Sequence, residues 1–181
     1  FMQEALAHRG VEDIELLADG IDGASWPDRN GILAALERKA QTAKAGDLVV
    51  IHFSGHGSRQ RDLSGDETDG WDEVWRPSGA LPALPGTGVF QNAITDDEIG
   101  QAVDAISATG ANVWLIVDSC NAGTTLRSAA NGVVARYVAP ADAGLPDQAQ
   151  VSLEVAPSSV DAGEGPVAVL VFYAAQASEL A

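Results

Sequence analysis

The chain has 181 residues, enough for one domain with a sizeable core. Its 10 Lys and Arg stand against 26 Asp and Glu, for a formal net charge of -16. Such a surface repels phosphate backbones and disfavours nucleic acid as a partner. No apolar run reaches the roughly 20 residues that a membrane helix needs, so no membrane partner is expected. No positively charged segment followed by an apolar stretch reads as a secretory signal. A single cysteine excludes an internal disulfide and fits a reducing compartment, with the cytoplasm as the default location.

In chain order, 2–9 reads as a helix stopped by Gly10, and 14–17 as a short strand. Pro27 suits the first position of a helix with Ile32, Leu36, Ala40 and Ala43 on one face, closed by Gly46. The β-branched run 47–53 reads as a strand buried on both sides. Residues 54–93, rich in Gly, Pro and acids, read as a long loop with room for a small hairpin. Thr95 to Glu98 forms a capping box, opening a helix with Ile99, Val103 and Ile106 as its apolar stripe and Gly110 at its end. Residues 112–117 and 167–173 read as two more buried strands, separated by a Gly- and Pro-punctuated linker. Apolar strands alternating with amphipathic helices predict an α/β sandwich with a central, mostly parallel β-sheet flanked by helices. In such folds chemistry gathers at the carboxyl ends of the strands.

Two segments leave those ends: Phe53-Ser54-Gly55-His56-Gly57-Ser58 and Asp118-Ser119-Cys120-Asn121-Ala122-Gly123. His56 lies three residues past Phe53, and Cys120 three past Val117. If the two strands are neighbours, both side chains emerge on one rim. A thiol needs a nearby base to form thiolate near neutral pH, and imidazole is the usual partner. The amides of Gly57 and Cys120 can then face a developing oxyanion. Asp118, two residues before the cysteine, suits pairing with a guanidinium, although a turn role at the strand end explains it too. Taken singly, Cys120 reads as a core thiol and His56 as a hydrogen-bonded loop histidine; their pairing at equivalent strand ends favours chemistry. His8 and His52 read as structural.

The S-G-H-G and D-S-C-x-x-G segments resemble those of the caspase-like cysteine peptidases. The acidic stretch 65–73 is similar to the acidic loop of metacaspases, particularly bacterial ones. Segments 92–99 and 172–179 resemble, in order, the segment after that loop and the strand opening the smaller subunit region. The resemblance implies a three-layer caspase-like sandwich in a single domain, 1–181. Residues 1–125 would be large-subunit-like, 126–165 a linker and 166–181 the start of the small-subunit-like part, with a first strand and a C-terminal end lying beyond. It implies an endopeptidase cutting protein or peptide substrates after Arg or Lys, with Cys120 and His56 as the dyad and no cofactor for the chemistry. Ser54 and Asp118 would line the specificity pocket. Calcium is the implied activator, with Asp72, Asp96 and Asp97 as candidate ligands. Against that stand Leu126 and Arg127, where a further family acid is expected, and helix-dipole placement explains Asp96 and Asp97 as well. Asn121 departs from the family's usual His. Self-processing in the linker would fall at Arg127 or Arg136.

Two rival functions remain: a catalytically inactive caspase-like module that binds partners, and a calcium-binding regulatory domain. A serine hydrolase lacks its G-x-S-x-G elbow, clustered zinc ligands are missing, and no phosphate-binding glycine loop occurs. The oligomeric state is open, with a monomer expected.

Overall fold

A computed structural model of the protein describes residues 2–67, 69–119 and 169–173. Helix α1 spans Met2–His8 and α2 Arg29–Thr42. Strand β1 spans Leu48–Ser54, β2 His56–Arg61, β3 Trp71–Arg76 and β4 Ile94–Thr95. Helix α3 spans Asp96–Ser107, followed by β5, Asn112–Asp118, and β6, Val169–Tyr173.

Strands β1, β5 and β6 form a parallel sheet in that order. One face carries Val49, Ile51 and Phe53 from β1, Val113, Leu115 and Val117 from β5, and Val171 from β6. Against it pack α2, through Ile32, Leu33 and Leu36, and α3, through Ile99, Val103 and Ile106. This is the expected α/β layering of a parallel sheet with helices on it. The strands are not buried on both sides, however. On the other face Leu48, Trp114, Leu170 and Phe172 are exposed, Trp114 meeting Phe172 edge to face. The sequence is apolar on both faces, whereas the described helices cover one.

Local chemistry sets the helix boundaries. Thr95 caps α3: its hydroxyl accepts from the Glu98 amide, and the Glu98 carboxylate accepts from the Thr95 amide, the expected capping box. Glu98 also takes a two-pronged ion pair from Arg29 at the start of α2, which holds its carboxyl below the usual carboxylate range. That guanidinium also donates to the Ala93 carbonyl. Helix α2 begins later than expected, because Asp28 accepts from the Gly31 amide and is the cap. Pro27 therefore precedes the helix. Its C-cap is Ala43, and Gly46 serves the turn into β1 at φ 89°. The segment 14–17 is not a strand; it makes one isolated bridge, Leu17 to Ser25.

The stretch read as a long loop holds the larger surprise. Strands β2, β3 and β4 form a second, antiparallel sheet within it. One of its faces buries polar groups, Ser58, Gln60 and Asp72, beside Val74. The Gln60 side chain accepts from the Phe90 amide, which satisfies part of that burial. A polar buried face carries no hydrophobic alternation, so the sequence pattern hides these strands. Trp75 joins the hairpin to the main core by stacking flat on Phe53, with ring centroids 4.1 Å apart.

Candidate active site

The register of β1 on β5 pairs Phe53 with Val117 and Ser54 with Asp118. The two strands thus end level, and the residues that follow them leave from one rim. There the Ser54 hydroxyl donates to the Asp118 carboxylate at 3.1 Å, and the Gly55 amide donates to the Asp118 carbonyl at 3.1 Å. The two residues expected to line a specificity pocket are therefore in contact. Ser119 is buried, and its Oγ has no hydrogen-bond partner.

His56 opens β2 immediately past this rim and is exposed. Gly57 follows, buried opposite Trp75. The glycine between Ser54 and His56 has a steric reason: a Cβ on Gly55 would sit 2.9 Å from the Phe53 ring, which is stacked on Trp75. Cys120, Asn121, Arg127 and Arg136 lie outside the described residues, as does the linker 126–165.

His52 was read as structural and stands two residues before Ser54 on the same sheet face. Burial holds its imidazole below the ordinary histidine value, and the Asp118 charge opposes that shift.

The acidic loop separates into two groups. Arg59 pairs with Asp69 and, at 3.1 Å, with Glu73, so these two are structural ion pairs. Asp62, Asp66 and Asp72 instead offer oxygens that all lie within 4.8 Å of one another. The Asp62 carboxylate also accepts from the backbone of Ser64, Gly65 and Glu67, so it organises the loop whether or not an ion is bound.

Asp72 is 4% exposed and Asp96 9%. Burial, with Asp62, Asp97 and Asp66 nearby, pushes Asp72 up to about 6. Burial, with Glu73, Asp72 and Asp97 nearby, pushes Asp96 up to about 8, while burial and then Asp66 raise Asp97. Among the described residues no lysine or arginine pairs with these three. Crowded hard oxygens without a counter-cation fit a divalent ion such as calcium. Of the candidate ligands Asp72, Asp96 and Asp97, only Asp72 belongs to this carboxylate cluster among the described residues. The sequence did not single out Asp62 and Asp66, whose approach to Asp72 depends on the hairpin.

A family model described as the metacaspase, peptidase C14 domain matches residues 2–129. The chain belongs to the metacaspase family. Curated relatives include metacaspase-2 of Arabidopsis thaliana, 36% identical over 61% of this chain and 25% of its own length. Metacaspase-1B of Aspergillus terreus is 34% identical over 70% of this chain and 31% of its own length. The chain thus spans about a third or less of those relatives. A crystal structure of a Geobacter sulfurreducens protein aligns with 70% of this chain and 40% of its own, at 28% identity and a TM-score of 0.49. No helix among the described residues is long and apolar enough to cross a membrane.

Proposed function

We propose that this chain is a cysteine endopeptidase that cleaves after Arg or Lys, with Cys120 as nucleophile and His56 as its acid and base. The carrying observation is the level ending of β1 and β5, Ser54 opposite Asp118, with His56 two residues beyond the first strand and Cys120 two beyond the second. The Cys120 thiolate attacks the carbonyl after the basic residue. His56 protonates the leaving amine, then takes a proton from the water that opens the thioester. The Gly57 amide, with that of Cys120, stabilises the oxyanion. Asp118 receives the substrate's guanidinium or ammonium, steadied by the Ser54 hydroxyl at 3.1 Å.

Calcium acts as an activator outside the chemistry. Asp72, Asp96 and Asp97 would hold it, with Asp62 and Asp66, whose oxygens lie within 4.8 Å of an Asp72 oxygen, at hand. The ion would neutralise their mutual repulsion and stiffen the hairpin that bears His56 and Gly57. Self-cleavage at Arg127 or Arg136 follows from the same preference for basic residues. The dyad is tested by treating the protein with an arginyl chloromethyl ketone. Mass spectrometry should find one adduct, on Cys120, that is lost in His56→Ala; labelling unchanged by that substitution would contradict His56 as the activating base.

A further inference from the structure

Arg76 ends β3 directly opposite His56 in the hairpin register. Residues opposed in an antiparallel pair carry their side chains on one face, with Cβ atoms about 4.5–5.5 Å apart. Both therefore leave the hairpin on the same side, at the end nearest the rim. The Arg76 guanidinium lies over the ring of buried Phe90, 4.8 Å from its centroid. Its Nε is buried without a hydrogen-bond partner. Burial alone moves its pKa, downward, with no acid close enough to oppose the shift.

The other partly buried arginines among the described residues have their acids: Arg29 has Glu98, and Arg59 has Asp69 and Glu73. Acids outnumber bases 26 to 10 in this chain, so carboxylates are not scarce. A partly desolvated guanidinium without one is costly. That cost is recovered when a ligand brings the carboxylate, and the planar fork of arginine suits carboxylate recognition.

We propose that Arg76 is a substrate-binding residue that reads an acidic side chain adjacent to the cleaved basic residue. This rests on the assignment of His56 to the dyad, since Arg76 stands opposite His56 in the hairpin. The favoured substrate is then a charge pair: a basic residue directed to Asp118 and an acidic neighbour directed to Arg76. The acidic surface around the site would otherwise repel that neighbour, so Arg76 gives selectivity that net charge alone opposes.

The test is peptide binding, by fluorescence anisotropy, to the full chain carrying Cys120→Ala, which removes turnover from the measurement. The peptides hold one Arg flanked by Gln on both sides, or with Glu replacing the Gln before it or after it. Glu at one of the two positions should tighten binding about tenfold over Gln. Adding Arg76→Gln should bring that ratio to about one, and Arg76→Lys should retain part of it. Each ratio is read on one preparation, so a loss of folded protein does not mimic the effect. A ratio of about one at both positions before Arg76 is changed, or a preference that survives Arg76→Gln, overturns the proposal alone. Failure of every arginyl peptide to bind overturns the peptidase reading and this proposal together.

Discussion

At the residue scale, the candidate pocket rests on one cross-strand contact. The Ser54 hydroxyl and the Asp118 carboxylate touch at 3.1 Å across the β1–β5 pair, so the acid is held before any substrate arrives. A charged hydrogen bond from a bound substrate's guanidinium to such a carboxylate contributes about 1.5–3 kcal/mol. Asp118→Asn should therefore lower kcat/KM for an arginyl peptide by about 10–100-fold. Ser54→Ala should lower it less, because the carboxylate remains. Kinetics on both variants check the order; an Asp118→Asn enzyme as fast as its parent would remove Asp118 from the pocket. The placing of Ser54 and Asp118 at matching strand ends was legible, because each follows directly on an apolar β-branched run. The place of Arg76 was not, because it depends on a register partner twenty residues away, His56, and on the absence of an acid beside it among the described residues.

At the element scale, α3 and its junction with β5 show what local sequence can and cannot specify. The capping box and the stripe of Ile99, Val103 and Ile106 fixed both the start of α3 and its buried face. The end of that helix brings a tertiary requirement that sequence does not state. Gly110 has φ 88°, its carbonyl accepts from the Gly46 amide, and an added Cβ would meet the Ala45 Cβ at 2.8 Å. Gly110→Ala combines left-handed strain with a clash and should cost about 1–3 kcal/mol in chemical denaturation. An unchanged midpoint would show that the junction can shift. The β2–β3 hairpin was the harder element to read: its residues H-G-S-R-Q-R and W-D-E-V-W-R resemble loop sequence, and their burial depends on the tertiary partners Phe90 and Phe53 and on the ion pair between Arg59 and Glu73 within the hairpin.

At the scale of the whole molecule, one parallel sheet sets the rim, a hairpin sheet stands beyond it, and buried acids sit where hairpin and α3 meet. Asp96, at the first turn of α3, is raised by burial and then by Glu73, Asp72 and Asp97, and Asp72, on β3, by burial and then by Asp62, Asp97 and Asp66, so mutual repulsion opposes charge on these acids. Calcium should relieve it. At a hundredfold excess over Kd, binding to the folded state contributes about 2.7 kcal/mol. A thermal shift assay should thus show Tm rising by several degrees with calcium, and Asp96→Asn should abolish that response while raising Tm in its absence. A Tm indifferent to calcium would contradict an ion site at these acids. The α/β class and the parallel strands were readable from apolar runs alternating with amphipathic helices. Which face of the sheet the helices cover was not readable, because Trp114 and Phe172 look as apolar in sequence as Val113 and Val171.

The central claim is that the two strand ends bring one thiol and one imidazole to a basic-residue pocket. It is tested most directly by hydrolysis of a fluorogenic arginyl peptide beside its aspartyl counterpart, in calcium, by the full protein and by Cys120→Ala. The account predicts arginyl cleavage that Cys120→Ala abolishes, with the aspartyl peptide untouched. Arginyl cleavage that survives in Cys120→Ala, or a preference for the aspartyl peptide, would contradict it.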